Sequence, residues 1–589
     1  MSRGAGAVGA IVLTGGRGSR LGGVDKARLT VSGRPMVETV LRAARAIAGP
    51  IITVGPGGDT REDPPHSGPV AGIAAGLATV PEEVDLVVVV ACDLPGLDAD
   101  TLRSLVGALR DARDRGAAAA LGVDPTGHDQ FLLAAWDRRA LAARLNRLAA
   151  GGGVAGLPVR ALYDAVELRR VPVGDHALDV DTWSDLAGRG PVALEHVGAV
   201  LRDGLPDAPA TFRAPLEAVG GVLAEPIVAA DPMPRERVSA MDGYALAGSG
   251  PWRLTGVPRR AGDGSPATLA PGTAATIATG ALAPRGTDRV LRHELTSISG
   301  SPEGATTVTA RPEASDTDDL RPVGEDWPAG SVLAEAGTTL DAALASAALS
   351  AGLDGVQVRG PLRAAVATTG DEVLPATTRA PLPPGRIRDT VGPLLDGVLA
   401  RAGFAASSAL SGVDAVRHCP DTPEAIATLL GSGSGEDVLV LVGATGRGVA
   451  DHLRAALDRV GARMVLDGVR VRPGGSQLVA ALPDGRVLLG LPGNPLAAVC
   501  AAASTGRALV DAVTGRRRAP VLVTVPELAG LAAPGRSRIL PARPDGAGGW
   551  TVTARVRTAH LADLAGAPAL ALIPEACGGD EPVELIDWT

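Results

Sequence analysis

The feature that most constrains this chain is a glycine-rich stretch near its start, residues 13–26, which reads Leu-Thr-Gly-Gly-Arg-Gly-Ser-Arg-Leu-Gly-Gly-Val-Asp-Lys. An apolar run over residues 8–13 leads into it and predicts a buried strand that opens onto a loop. Glycines let the backbone approach a ligand closely and turn its N–H groups toward an anion. The stretch ends at Lys26, the single lysine among 589 residues, where a compact ammonium replaces the guanidinium used everywhere else. We therefore predict an anion-binding loop.

Strand and helix patterns alternate after this loop. Short apolar strands are predicted at residues 51–54 and 86–91, and helices are predicted to follow Pro35 and Gly68. This order predicts a parallel sheet that binds ligands at the carboxyl ends of its strands. Asp93 follows the second strand, so we expect it on the same edge as the loop. An anion-binding loop beside a carboxylate predicts a site for a triphosphate with Mg²⁺.

The loop differs from the two commonest nucleotide-binding motifs. It lacks a Gly-Lys-Ser/Thr ending, which excludes a P-loop, and its glycine spacing misses the dinucleotide-binding pattern by one residue. It resembles the signature of nucleotidyltransferases, in particular the MobA-type molybdenum cofactor guanylyltransferases. The motifs that carry the resemblance are Leu13-Thr-Gly-Gly, Arg20-Leu-Gly-Gly-Val-Asp-Lys-Ala, Gly33-Arg-Pro, Gly68-Pro-Val-Ala-Gly, Cys92-Asp-Leu-Pro and Asp179-Val-Asp-Thr.

This resemblance implies a Rossmann-like domain over residues 1–188 that transfers GMP from GTP to the cofactor. Lys26 and Arg20 would contact the triphosphate, and Asp93 would hold Mg²⁺. The nucleotide would also contact Leu13, Thr14, Gly15, Gly16 and Asp63. A cytidylyltransferase or a sugar-phosphate nucleotidyltransferase is an alternative, since the choice of base depends on few contacts.

Two of the matching motifs differ from the usual family residues. Thr14 replaces the usual alanine, and Asp179 and Asp181 stand where asparagines are common.

A break at Gly188-Arg-Gly-Pro ends this first domain, and a helix is predicted at Val192–Leu201. The remaining chain is predicted to form three parts. Residues 191–360 are a mixed α/β lobe with a β-rich piece inserted at 236–314, residues 361–515 are a second α/β domain, and residues 516–589 are a small β domain. The fold class is therefore α/β multidomain.

Three strands of the second α/β domain end in turns that suit a ligand. The strand at 363–369 ends in Thr369-Gly-Asp-Glu, that at 437–442 in Gly443-Ala-Thr-Gly, and that at 487–491 in Pro492-Gly-Asn-Pro. Asn494 is placed to cap a following helix, which Pro495 would start. Three such strand ends predict one ligand cleft.

Residues 191–589 resemble the MoeA-type molybdopterin molybdenumtransferases, to which the C-terminal part of gephyrin belongs. The matching motifs are Ser239-Ala-Met-Asp-Gly-Tyr-Ala, Ile277-Ala-Thr-Gly-Ala, Gly324-Glu-Asp, Thr369-Gly-Asp-Glu, Asp389-Thr and Gly490-Leu-Pro-Gly-Asn-Pro. The resemblance implies a homodimer that exchanges the adenylate of adenylated molybdopterin for molybdate, with Mg²⁺.

The same resemblance implies roles for particular residues of the second half. Asp242, Thr279 and Glu325 would approach molybdate and the metal from the partner chain. The pterin pocket would be lined by Asp371, Asp389, Pro492, Gly493, Asn494 and Pro495.

Three positions depart from the MoeA pattern: Gly446 lacks a serine hydroxyl, Gly475 lacks a lysine, and Val391 lacks an amide. A lost charge-assisted contact costs roughly 1.5–3 kcal/mol. Arg447 and Arg470 are candidates to compensate. The main prediction is a bifunctional enzyme of molybdenum cofactor biosynthesis. In the alternative, only the N-terminal nucleotidyltransferase is active and the second half is a molybdopterin-binding and dimerisation module.

Charge and cysteine content limit the partners and the compartment. The net charge is −9 and no basic run exceeds Arg516–Arg518, which argues against nucleic acid as a partner. We expect no membrane span or signal peptide. The four cysteines lie far apart without metal-binding spacing, which predicts reduced thiols in a cytoplasmic protein.

Overall fold

The computed structural model describes residues 7–15, 21, 24–31, 34–255, 257–300, 306–405, 417–433, 435–446, 452–526, 528–577 and 581–589. The chain forms two compact units. The first comprises Met1–Asp207, Leu362–Val513 and Ala519–Thr589, and the second comprises Ala208–Pro361 and Thr514–Arg518. The four-part division expected from the sequence stays a prediction.

The N-terminal part of the first unit alternates strands and helices. Its strands are β1 (Ala7–Leu13), β2 (Thr30–Val31), β3 (Arg34–Pro35), β4 (Ile51–Val54), β5 (Val84–Ala91), β6 (Ala119–Val123), β7 (Asp129–Asp137) and β8 (Leu168–Pro172). Its helices are α1 (Met36–Arg45), α2 (Pro69–Thr79), α3 (Ala99–Arg113), α4 (Arg138–Ala150) and α5 (Trp183–Ala187).

Six of these strands form one sheet in the order β4-β1-β5-β7-β6-β8. Strands β4, β1 and β5 are parallel as expected, but β7 runs antiparallel to both β5 and β6, so the prediction of a parallel sheet holds for only part of it. Strand β5 is apolar throughout its centre because both faces are covered: Val88 packs on the side of Leu102 and Leu105, and Val89 packs on the side of Ile73 and Trp136.

The chain after residue 190 begins differently from the expected helix. Val192 and Ala193 form strand β9 (Val192–Ala193), which pairs in parallel with residues Val469 and Arg470. Helix α6 (Val197–Gly204) starts only after a 3₁₀ turn at Leu194–His196. The predicted helix at Val192–Leu201 is therefore wrong at its start, because a distant strand binds this segment.

The second unit is built mainly from strands. They are β10 (Ala210–Arg213), β11 (Val222–Leu223), β12 (Ile227–Val228), β13 (Val238–Ser239), β14 (Gly243–Ala247), β15 (Trp252–Leu254), β16 (Thr273–Ile277), β17 (Arg289–Arg292), β18 (Thr296–Gly300), β19 (Thr306–Ala310), β20 (Leu320–Arg321), β21 (Val332–Ala334) and, after helix α7 (Ala342–Ser350), β22 (Val356–Arg359). Six of them form one sheet in the order β17-β14-β16-β15-β19-β18.

The first unit resumes with a second α/β sheet. The strands of this part of the chain are β23 (Ala364–Thr369), β24 (Val373–Leu374), β25 (Ile387–Arg388), β26 (Arg417–Cys419), β27 (Val438–Val442), β28 (Arg463–Asp467), β29 (Val469–Arg472), β30 (Leu478–Ala481) and β31 (Val487–Leu491). Strands β24 and β25 form a separate two-stranded sheet, and β29 belongs to the C-terminal sheet. The helices of this part are α8 (Gly392–Ala402), α9 (Pro423–Gly431), α10 (Leu453–Val460), α11 (Pro495–Ala501) and α12 (Arg507–Thr514). The sheet order is β26-β23-β27-β31-β30-β28, and its first four strands are parallel.

The remaining residues form a sheet that also includes β29 and β9. Its other elements are β32 (Val521–Val523), α13 (Leu528–Leu531), β33 (Ser537–Pro544), β34 (Trp550–Val552), β35 (Ala569–Ile573) and β36 (Val583–Asp587).

Helices α11 and α12 join through a π-helical turn at Ala502–Gly506 into one helix, Pro495–Thr514. By length and composition this helix passes as a membrane span, which the sequence was not expected to contain. However, 83% of its apolar window is buried within the protein, as in the core helix of a globular domain.

Candidate functional site

The most concentrated set of charges in the N-terminal part surrounds Lys26. Its Nζ lies 2.5 Å from Oδ1 of Asp181 and 3.6 Å from Oδ2 of Asp93. Lys26 begins a 3₁₀ turn, Lys26–Arg28, and the Asp25 carboxylate caps that turn by accepting from the Ala27 N–H at 3.1 Å. The structure therefore brings together two residues that the sequence predicted, Lys26 and Asp93.

Backbone hydrogen bonds place Asp93 and Asp181 at the end of the sheet. Asp93 lies two residues beyond β5, and the neighbouring Cys92 N–H donates to the Leu13 carbonyl at 3.0 Å, which ties this strand end to the loop strand β1. The Val180 N–H donates to the Asp93 carbonyl at 3.0 Å. That bond places the segment containing Asp181 beside Asp93, although Lys26 and Asp181 are 155 residues apart in sequence.

The charges in this cluster do not balance. Burial raises the pKa of Asp93 and of Asp179, and the remaining carboxylates add to the rise in both cases. Burial alone would lower the pKa of Lys26, but its hydrogen bond with Asp181 and the nearby carboxylates outweigh burial and raise it. Lys26 is thus an ammonium, and among the described residues it is the cation that faces Asp93, Asp179 and Asp181.

The donor set fits Mg²⁺. Carboxylate oxygens are the hard ligands that this ion prefers, and it is commonly held by one or two carboxylates together with substrate phosphates. Within the described ranges, no group of three or more His, Cys, Asp or Glu side chains is arranged to enclose a metal by itself. Asp93 and its neighbours would therefore share the ion with a bound phosphate.

The described part of the glycine loop packs against the strand β4. The Thr14 N–H and Oγ1 both reach the Val54 carbonyl, at 2.8 and 3.1 Å. Gly55 has a φ of +144°, and a Cβ there would come within 2.6 Å of the Gly15 nitrogen. Only glycine fits at this contact, and the close approach keeps Thr14 and Gly15 at the edge of the sheet. Arg20 and Gly16 lie outside the described residues.

Asp63 is separated from this cluster. It is exposed, and no hydrogen bond or ion pair among the described residues joins it to Lys26 or Asp93. A role for Asp63 in nucleotide contact stays a prediction.

The second candidate site lies where β23, β27 and β31 end. The Gly443 N–H donates to the Leu491 carbonyl at 2.9 Å, and a Cβ on Gly443 would lie 2.9 Å from the Thr369 carbonyl oxygen. A Cβ on Gly493 would contact the Gly443 Cα at 3.7 Å. The turns after the three strands thus meet at Gly443, as the sequence predicts.

The polar side chains of these turns make mostly structural contacts. Asp389 Oδ1 accepts from the Val391 and Gly392 N–H groups, at 3.0 and 2.8 Å, and so binds the backbone at the start of helix α8. Asp371 Oδ1 accepts from the Asp421 N–H at 3.4 Å.

The capping role predicted for Asn494 is wrong. Asn494 occupies the N-cap position of α11, and Pro495 is the first helical residue, but the Asn494 side chain makes no capping hydrogen bond. Pro492 is buried, whereas Gly493 and Asn494 are exposed. The Leu496 N–H donates instead to the carbonyl of Thr558, at 3.2 Å. A distant segment thus satisfies the helix end and leaves the Asn494 amide exposed.

The residues expected to act from a partner chain lie in the second unit. Asp242 accepts hydrogen bonds from the N–H and Oγ1 of Thr279, at 2.7 and 2.9 Å, and these bonds lower its pKa. Glu325 forms an ion pair with Arg321, which also contacts Asp326 at 2.6 Å. The Asp242–Thr279 pair is thus preformed, and Glu325 is paired with a cation.

A cationic cavity of about 430 Å³ was missed from the sequence. Its charged lining residues are Arg472, Arg536, Arg538 and Arg555. Burial and the neighbouring Arg472 charge lower the pKa of Arg538, so like charges are held close together. The signal available in the sequence was the spacing of Arg536 and Arg538, which places both on one face of an extended segment.

The loop after Arg472 is joined to one of the strand-end turns. The Thr445 and Ser476 hydroxyls lie 3.1 Å apart and join the Gly443 turn to the loop that follows Arg472. Arg470 forms an ion pair with Glu575 at 3.1 Å through Nη2, while its Nε and Nη1 are buried without a hydrogen-bond partner among the described residues. A Cβ at Gly475 would lie 3.1 Å from the Val471 carbonyl oxygen, a tight fit for any side chain. Arg447 lies outside the described residues.

The chain thus carries two α/β sheets, one with Lys26 and Asp93 at the ends of its strands and one whose strand-end turns meet at Gly443. Three family models match the chain. The MobA-like NTP transferase domain matches residues 10–167, the MoeA N-terminal region (domain I and II) matches residues 193–352, and the probable molybdopterin binding domain matches residues 365–510.

Curated relatives and solved structures agree with these matches. A molybdopterin molybdenumtransferase of Synechococcus elongatus is 30% identical over 347 residues, which cover 56% of this chain and 83% of that protein. One of Staphylococcus epidermidis is 28% identical over 290 residues, covering 48% and 66%. A molybdopterin biosynthesis MoeA protein from Pyrococcus horikosii shares the fold, with a TM-score of 0.51 and 20% identity over 68% of this chain and 99% of that chain. The chain belongs to the molybdopterin molybdenumtransferase family and carries a MobA-like NTP transferase domain before it.

Proposed function

We propose that the chain is a bifunctional enzyme of molybdenum cofactor biosynthesis. Residues 1–188 transfer GMP from GTP to the cofactor, and residues 191–589 insert molybdate into adenylated molybdopterin. The observation that carries the first activity is the Lys26 ammonium held among Asp93, Asp179 and Asp181 at the edge of the sheet. The three family matches support both activities in one chain.

The first reaction needs charge stabilisation more than proton transfer. A terminal phosphate oxygen of the acceptor attacks the α-phosphorus of GTP in line, the new P–O bond forms, and the bond to the β-phosphate oxygen breaks to release pyrophosphate. Lys26, protonated because its pKa is raised, moves from Asp181 to the developing charge on pyrophosphate. Mg²⁺, held by Asp93 and the phosphates, would supply further neutralisation there.

The second reaction uses the edge formed by the Gly443 and Pro492 turns. The cavity containing Arg472 and Arg538 would hold the phosphate groups of adenylated molybdopterin, since guanidinium groups bind phosphate in pairs of hydrogen bonds. Asp242 and Glu325 would approach molybdate and its metal from a partner chain.

That arrangement requires a homodimer. The second unit exposes large apolar side chains that a partner would cover, among them Phe212 on the edge strand β10, which is 66% exposed, and Leu216, which is 64% exposed. Light scattering that gave the mass of a single chain would exclude the dimer.

A second candidate function limits catalysis to the N-terminal part. It is supported by Gly475, where the Val469 and Val471 carbonyls leave little room for a side chain in place of the missing lysine. In this case residues 191–589 bind molybdopterin without inserting molybdate. Incubation of the full chain with adenylated molybdopterin and molybdate separates the candidates: bound ligand without product supports the module.

The compartment is proposed to be the cytoplasm. All four cysteines lie in the described ranges and none is in a disulfide. Burial raises the pKa of each thiol, for Cys92 to about 12, so these thiols are protonated and inert. Cell fractionation tests this assignment.

A direct test of the first activity is a panel of nucleotides. The full chain is incubated with GTP, CTP or UTP, Mg²⁺ and either molybdopterin or a sugar phosphate, and release of pyrophosphate is measured. Transfer from GTP to molybdopterin is the expected result. Transfer only to sugar phosphates would refute the proposal, and transfer from CTP would change the base.

A further inference from the structure

Helix α5 begins one residue after Thr182 and is closely tied to the Lys26 cluster. Thr182 and Asp185 form a capping box, in which Thr182 Oγ1 accepts from the Asp185 N–H at 3.1 Å. Asp185 Oδ2 accepts from the N–H groups of both Thr182 and Asp181, at 2.8 and 3.0 Å. The backbone of Asp181, the hydrogen-bond partner of Lys26, is thus part of the start of this helix.

A carboxylate from outside the nucleotidyltransferase part also binds the start of helix α5. Asp203, on helix α6, accepts from the N–H and the Oγ–H of Ser184 at 2.9 and 2.7 Å. Asp203 lies within residues 193–352, the range that matches the MoeA N-terminal region, whereas the match to the NTP transferase domain ends at residue 167. A residue of the second half therefore holds an element of the first.

The residue after Asp203 is tightly packed against the second α/β sheet. This residue, Gly204, packs so closely on β28 that a Cβ there would lie 2.5 Å from Cγ1 of Val465. The Arg463 guanidinium donates to the Gly204 carbonyl at 2.5 Å. On the side of the Lys26 cluster, the Val180 N–H binds the Asp93 carbonyl at 3.0 Å. The segment 180–184 is consequently held from both ends.

We infer that Asp203 is a positioning residue for nucleotidyl transfer: through Ser184 and helix α5 it keeps Asp181 against Lys26. This inference rests on the proposed function of the Lys26 cluster. Asp203 touches no substrate. It fixes the position of the Lys26 ammonium before the triphosphate binds. The first reaction therefore depends on a residue of the second half.

The test compares variants of the full chain in the GTP-dependent transfer assay. Asp203→Ala removes the acceptor for both Ser184 donors, and we expect KM for GTP to rise about 3- to 10-fold with a smaller change in kcat, because the displaced Lys26 ammonium no longer meets the bound triphosphate. Asp203→Asn keeps an acceptor oxygen and should stay within about 2-fold of the unaltered chain. Asp114→Ala, at an exposed aspartate beyond α3, is the control for loss of a surface charge and should change neither constant.

The outcomes separate this inference from a structural role and from the proposed function. An unchanged KM in Asp203→Ala, or a lower kcat with unchanged KM and a lower melting temperature, would overturn the positioning role. An equal KM rise in Asp114→Ala would overturn it too. If Asp203→Ala does not fold, Ser184→Ala removes one donor and should raise KM about 2- to 3-fold, and an unchanged KM there counts against the inference. An unchanged kcat/KM in Lys26→Ala would instead refute the proposed function.

Discussion

Replacing Gly443 by alanine should destabilise the second α/β domain and weaken its ligand cleft. Gly443 has a φ of +101°, which costs an L-residue about 1–2 kcal/mol. The added Cβ would lie 2.9 Å from both the carbonyl oxygen and Cγ2 of Thr369, and overpacking of this kind costs about 1–3 kcal/mol. The expected loss is therefore about 2–5 kcal/mol.

A matched control exists in the same domain. Gly461 ends helix α10 with a φ of +72°, but a Cβ there would meet nothing within 4 Å. Gly461→Ala should therefore cost only the backbone part, about 1–2 kcal/mol. Hydrogen exchange of the β27 amides in the full chain measures the opening free energy in both variants. Equal losses for the two variants would refute the packing argument, and unchanged molybdopterin binding in Gly443→Ala would refute the location of the cleft.

Two further predictions concern the arginine cavity and an exposed turn. Arg538→Ala should weaken binding of adenylated molybdopterin about 10- to 150-fold, the range for one charge-assisted hydrogen bond. Arg543→Ala, on the same strand, is the control. If calorimetry gave the two variants equal affinities, phosphate binding in this cavity would be contradicted. The Thr126 hydroxyl and nearby N–H groups lower the pKa of Asp124 to about 2, so the turn is stabilised above the ordinary aspartate pKa and this contribution is lost as pH falls toward 2. Thr126→Val should raise that pKa in an NMR titration, and no change would show that the hydroxyl is not its cause.

Part of the Lys26 cluster could be predicted from the sequence. A lone lysine after a glycine loop and an aspartate after an apolar strand were sufficient to place Lys26 and Asp93 together. The closest partner, Asp181, could not be assigned, because its position depends on a backbone bond between Val180 and Asp93. Sequence patterns indicate which face a residue occupies, but they do not show which distant segment pairs there.

The other errors of the sequence-based predictions have the same origin. Asn494 was expected to cap its helix, yet Thr558 supplies the carbonyl that binds the helix end. Val192 and Ala193 were expected to be helical, yet they pair with β29. The antiparallel direction of β7 was also missed, because alternation of apolar residues carries no information on strand direction. In each case a tertiary contact outweighed a local preference.

The cationic cavity depends on residues far apart in sequence. Arg472 is the last residue of β29, whereas Arg536 lies just before β33, Arg538 lies on β33 and Arg555 lies beyond β34. Each arginine is ordinary in a chain that uses arginine almost exclusively as its cation. The parallel pairing of β29 with β33 places Arg472 opposite Arg538.

The central claim is that Lys26 stabilises the pyrophosphate leaving group, and a pair of variants tests it most directly. Lys26→Ala is compared with Arg28→Ala, which removes an exposed cation from the same 3₁₀ turn. Transfer of GMP from GTP to molybdopterin by the full chain is followed by pyrophosphate release. We predict that kcat/KM falls by about 10²- to 10³-fold in Lys26→Ala, the range for losing one preorganised donor to developing charge, and changes less than about 3-fold in Arg28→Ala. A Lys26→Ala chain that transfers GMP as fast as the Arg28→Ala chain would contradict the account.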